Sequence, residues 1–182
     1  MRSKKIEVDR ATSPANLLCV WREWRSGVHA YCLFCETRRC GEIAENIERQ
    51  YGLRCISPQV IQRKWVKGVP QEERHDWLPG YVFVYAQEDI RPWFRVSGII
   101  RCLGNEKLSG NDLEFAQMLW DKNGIIGSIK LKEVGDKCKI ADPAWENIEG
   151  TVVKLDRGRK RCCVAFEFDG VERTVWVGYD LV

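Results

Sequence analysis

Two β-rich blocks constrain the fold of this chain most. The first is Trp77-Leu78-Pro79-Gly80-Tyr81-Val82-Phe83-Val84-Tyr85. Pro79-Gly80 ends one element, and the alternating run after it has the signature of a buried strand. The second runs from Gly135 to Phe168. In it two apolar stretches flank Asp156-Arg157-Gly158-Arg159-Lys160-Arg161, a loop with four basic residues. A small β-barrel that displays a basic hairpin points to nucleic acid as its partner.

With 182 residues, 45% of them hydrophobic, the chain can fill one large core or two small ones. It contains no apolar run of about 18 residues, so no membrane association is expected. Leu17-Leu18-Cys19-Val20-Trp21 is too short for a signal-peptide core and runs into charge. Nine cysteines, odd in number and scattered through strand patterns, do not form a disulfide framework. A cytoplasmic protein is therefore expected. The net charge of +3 excludes a bulk polyanion binder. The local distribution says more: between Lys154 and Arg161 stand five basic residues, opposed only by Asp156.

Residues 1–28 are polar and irregular and read as an extension, with a short helix around Leu17 to Trp24 whose Trp21 and Trp24 form an apolar patch. Ala30 to Glu36 reads as a strand. Thr37 can cap a helix from Arg38 to Tyr51, with Ile43, Ala44 and Ile47 on one face and Gly52 at its end. Cys55 to Val66 reads as extended and Lys67-Gly68-Val69-Pro70 as a turn. A charged return segment runs from Gln71 to Trp77, with Glu72-Glu73 at the hairpin tip. The strand Tyr81 to Tyr85, a helix over Glu88 to Val96, a strand from Ile99 to Leu103 and a helix over Asn111 to Lys122 follow. This order predicts an α+β architecture, an antiparallel sheet flanked by helices. Residues 29–123 form that domain, 124–133 a linker, and 134–182 a small barrel. The barrel's turns are expected at Asp142-Pro143, Asp156 to Gly158, Asp169-Gly170 and Gly178.

Cys32, Cys35 and Cys40 have a spacing found in zinc sites. Residues three apart in a strand face opposite ways, however, and no fourth ligand is evident, so no metal is expected. In Cys162-Cys163 one thiol should face the core and the other solvent. Catalytic signatures such as GxSxG, a P-loop or GxGxxG are missing, so neither an enzyme nor a cofactor is expected. The basic hairpin has a plain reading as a solubilising, edge-protecting turn. Its density of arginine favours phosphate and base contacts instead. The candidate RNA-binding residues are Lys154, Arg157, Arg159, Lys160 and Arg161, with Trp145 placed either to stack on a base or to cover the barrel end.

Taken together, these residues resemble the NusG-type transcription elongation factors. The family's N-terminal domain carries a strand, a helix and an xxPGY strand. They are matched here by Tyr31-Cys32-Leu33-Phe34, Ile43 to Tyr51, and Leu78-Pro79-Gly80-Tyr81-Val82-Phe83-Val84. Its C-terminal KOW barrel is matched from Gly135 through Ile140, Asp142 and Gly150 to Val152. The resemblance covers residues 29–182. It implies a monomeric factor that sits on the clamp region of RNA polymerase, associates with the nucleoid through it, and suppresses pausing. Tyr31, Trp77, Leu78 and Tyr81 match the family's polymerase contacts. It also raises non-template DNA as a further contact.

The departures narrow the resemblance. Ala30 stands where the family has Trp, Pro143 replaces the usual Gly, and Asp169 occupies a position that is apolar in factors coupled to the ribosome or to Rho. With the dense basic loop, the chain looks like a specialised paralogue of the LoaP or RfaH kind. That implies processive antitermination of selected operons, recruited through a hairpin in the nascent RNA.

Overall fold

A computed structural model describes residues 27–182 apart from 91–93, 136 and 147, and leaves the side chains of residues 63, 65, 70 and 105 undescribed. The expected helix around Leu17 to Trp24 lies outside the described residues. The first layer is an antiparallel sheet in the order β2-β5-β1-β6. Its strands are β1 (His29–Cys35), β2 (Arg54–Ile56), β5 (Tyr81–Ala86) and β6 (Ile99–Cys102). β1 and β5 pair along most of their length, from His29 with Ala86 to Phe34 with Tyr81. Alternation divides β1 cleanly. Tyr31, Leu33 and Cys35 enter one core and Ala30 and Cys32 the other.

Helix α1 (Cys40–Tyr51) covers the first face with Ile43, Ala44 and Ile47, the apolar stripe read from the sequence. A short 3-10 turn, Thr37–Arg39, precedes it, and no side chain caps the helix. Arg39 forks instead to Glu36 (3.0 Å) and Glu42 (2.9 Å), bridging the turn to the helix. Gly52, at φ 68°, closes it with an N–H bond to the Glu48 carbonyl.

Opposite lies α2 (Gly110–Asp121), which buries Phe115, Ala116, Met118 and Leu119. Gly124 ends this turn at φ 73°, its N–H bonded to the Leu119 carbonyl and its own carbonyl to the Gln59 N–H. That bridge sets β7 (Ile125–Ile126) parallel to β3 (Gln59–Val66). β4 (Val69–Asp76) pairs antiparallel with β3 in a long hairpin turning at Lys67-Gly68. Val69 and Pro70 thus belong to the strand rather than the turn, and Glu72-Glu73 sit mid-strand, away from the tip.

The C-terminal sheet runs β10-β11-β12-β8-β9 and curls so that β9 returns beside β10. Its strands are β8 (Ile129–Val134), β9 (Lys137–Ile140), β10 (Thr151–Asp156), β11 (Arg161–Phe168) and β12 (Val171–Leu181). The short helix α3 (Pro143–Glu146) spans β9 to β10. The stretch 124–133, expected as a linker, is therefore folded: β8 pairs parallel with β12 and antiparallel with β9. Gly178 is not a turn either. It lies within β12, where a Cβ would stand 2.6 Å from the Ser128 hydroxyl oxygen.

The described part of Glu88 to Val96 is not helical. Two of its backbone N–H groups are taken by tyrosine hydroxyls: Ile90 donates to Tyr31 (2.9 Å) and Arg95 to Tyr51 (2.9 Å). These tertiary bonds replace the intrahelical ones.

Candidate functional site

The WLPGY block builds an aromatic face. The Gly80 carbonyl accepts the Cys35 N–H at 2.7 Å, and Gly80 adopts φ 95° with the Phe34 ring 3.1 Å from where a Cβ would stand. A residue with a side chain would strain that backbone and push on the ring. The turn leaves Trp77 and Leu78 on the α2 side of the sheet and starts β5 with Tyr81.

This face is covered by the barrel. Trp77 lies 5.2 Å from both Phe115 and Phe166 and 5.6 Å from Trp145. Phe115 stacks on Phe166 at 5.2 Å with the rings 6° from parallel. Phe168 reaches Tyr81 (5.7 Å), Phe83 (5.5 Å) and Phe115 (5.0 Å). Trp77 is only 6% exposed and Leu78 7%. Arg173 of β12 donates from Nη2 to the Tyr81 hydroxyl at 3.1 Å. Two buried donors at this junction lack an acceptor, Trp77 Nε1 and Arg173 Nε.

Of the four residues matched to polymerase contacts, Trp77, Leu78 and Tyr81 share this face and Tyr31 does not. Tyr31 is fully buried on the α1 side, where its hydroxyl donates to Asp89 Oδ1 at 2.8 Å. Burial raises its pKa, and the same bond holds the Asp89 carboxyl below the usual range. Ala30, its neighbour, is the residue on the aromatic face.

Trp145 is fully buried among Trp77 and Phe166, so it plugs the junction and offers no ring to a base. The signal for that is Gly150, where a Cβ would come within 3.0 Å of the indole. Phe115, Phe166 and Phe168 carry as much of the junction as the WLPGY block, and sequence reasoning passed over them.

The basic loop is organised by its single acid. Asp156 accepts the Arg159 N–H through Oδ1 (3.1 Å) and Arg161 Nε through Oδ2 (3.1 Å). The Arg159 N–H and the Arg161 guanidinium keep its carboxyl below the usual range. Arg161 also lies over the Trp176 ring at 4.7 Å. Arg157 meets Glu133 of β8 at 3.3 Å. Arg161 therefore braces the loop, while Lys154, Arg157, Arg159 and Lys160 are exposed and present the charge, Arg157 with Glu133 beside it.

Cys32 and Cys35 point to opposite faces of β1, as their spacing predicts, and both thiols are buried. Burial pushes Cys35 up to about 12. Cys162 and Cys163 are both buried, against the expectation that one faces solvent: Cys162 belongs to the main core, and Cys163, on the other face of β11, stands between Lys154 and Trp176 of the neighbouring strands. Among the described residues no helix is long and apolar enough to cross a membrane.

No protein-family model matches the chain, and no curated protein matches it. Among solved structures it is similar to NusG of Thermotoga maritima, from a structure described as domain interaction in that protein. The two are 21% identical over 83% of this chain and 93% of that one, with a TM-score of 0.46.

Proposed function

We propose that the chain is a NusG-type elongation factor, a specialised paralogue acting in the cytoplasm. It binds the clamp region of RNA polymerase through Trp77, Leu78 and Tyr81. It contacts a nascent RNA hairpin through Lys154, Arg159 and Lys160, and it promotes processive antitermination of selected operons. Such a factor needs no catalytic group, since it acts by favouring one conformation of the polymerase.

The observation that carries this reading is the junction between sheet and barrel. Seven aromatic rings meet there, yet the Trp77 indole N–H and Arg173 Nε are buried without acceptors. Each such orphan costs about 1–3 kcal/mol. In this reading polymerase binding requires the barrel to move off the aromatic face, and acceptors from the partner would satisfy these two donors. Once uncovered, an apolar face of this kind on a folded domain requires a partner, and its aromatics would supply most of the affinity.

The test is a pull-down of RNA polymerase with a terminator read-through assay. Tyr81→Ala is expected to weaken polymerase binding by about 2 kcal/mol or more, roughly thirtyfold, and to abolish read-through. Undiminished binding by this variant would contradict the assignment.

A further inference from the structure

We propose that the outward face of the β8–β9 hairpin docks the sugar-phosphate backbone of a base-paired RNA stem. The inference rests on the reading above that the barrel meets nascent RNA, and it extends the contact from the loop after β10 to another part of the barrel. Along β8, Ile129 and Leu131 are buried while Lys130 and Lys132 are exposed. Along β9, Lys137 and Lys139 are exposed while Cys138 and Ile140 are half-buried. The antiparallel register sets Lys132 opposite Lys139 and Val134 opposite Lys137. The exposed positions of this face are thus four lysines and a valine.

Like charges directly opposite on a sheet destabilise the pairing, so Lys132 and Lys139 weaken the hairpin unless an anion lies across them. Nearby carboxylates do little to relieve this. Glu133 is engaged by Arg157, and Asp180 stands opposite Lys130 only. Asp136 lies outside the described residues. Edge protection would explain lysines on β9 but not on β8, which is flanked by β12 and β9.

The occupant follows from what accompanies the charge. Trp145, Phe166, Phe168 and Tyr179 are buried, and Trp176 is half-buried under Arg161. Among the described residues of the barrel no aromatic ring is exposed. Single-strand binders depend on such rings for base stacking. Lysines without rings suit phosphates held in a fixed shape, the way a paired stem is recognised.

The test uses the full chain in anisotropy titrations over a salt series. The probes are a labelled RNA stem-loop, an unpaired RNA of equal length and a DNA duplex. The variants are K130Q/K132Q/K137Q/K139Q, the loop variant R159Q/K160Q, and R38Q/K64Q/K67Q/R74Q as a control with the same change in charge. Wild type should prefer the stem-loop. The hairpin variant should lose that preference and flatten the log–log salt slope by about 3 to 4, while the control keeps both. K132Q alone should raise the melting temperature at low salt, which separates lost binding from lost folding. A hairpin variant that behaves like the control, with binding lost only in the loop variant, overturns the inference alone. Equal binding of the DNA duplex, or preference for unpaired RNA, overturns the choice of partner. Wild type that binds neither RNA overturns both this inference and the proposed RNA contact.

Discussion

At the scale of single residues, burial rather than identity decides what a side chain can do. Trp145 shows this. In sequence, an aromatic residue beside a turn fits a stacking platform as well as a plug, and only the close approach of Gly150 selects the plug. Tyr31 lies on the face opposite Trp77 and Leu78 because neighbouring strand residues point oppositely, so a shift of one position moves a residue across the sheet. The opposed faces of Cys32 and Cys35 were legible by the same rule. The thiols also set a pH dependence. Cys35 and Cys162 are each held up to about 12 by burial, whereas an unfolded thiol ionises near 8.5. Between those values the unfolded state has released protons that the folded state retains, so stability must fall as pH rises. The expected slope is about 1.4 kcal/mol per pH unit for each thiol. Urea titrations from pH 8 to 11 should show it, and Cys162→Ala should remove one thiol's share; a flat profile would contradict the burial.

At the scale of elements, local pattern predicted most of the regular structure. The strand before α1, the apolar stripe of α1, α2, and the β5 and β10–β11 strands lie within a residue or two of where alternation and helical spacing put them. Failures came where a partner remote in sequence decides. Ile129-Lys130-Leu131-Lys132 alternates as a strand should, but its partner β12 lies at the other end of the barrel, so the stretch reads as a linker. That reading also removed Lys130 and Lys132 from the barrel's charge. The segment after β5 looked helical because nothing local reveals that tyrosine hydroxyls capture two of its N–H groups. Gly124 illustrates an element boundary under strict demand. A Cβ there would stand 2.5 Å from Ile56 Cγ2, on a backbone at φ 73°. Gly124→Ala should therefore destabilise by about 1–3 kcal/mol, read as a lowered midpoint in thermal unfolding. An unchanged midpoint would mean that β7 does not depend on this turn.

At the scale of the molecule, the two β blocks are legible in sequence but their docking is not, because apolar residues on two surfaces do not state that the surfaces meet. The structure joins them through Trp77, Phe115, Phe166 and Phe168. If the covered face is the polymerase-binding face, the fraction of molecules with the barrel displaced scales the apparent affinity. The most direct measurement is the Kd for RNA polymerase of F168L against wild type. Leucine keeps the barrel core filled while removing the ring contacts to Tyr81, Phe83 and Phe115. The account predicts tighter binding by this variant, and loss of that gain when Tyr81→Ala is added. Equal or weaker binding by F168L, with the barrel still folded, would contradict it.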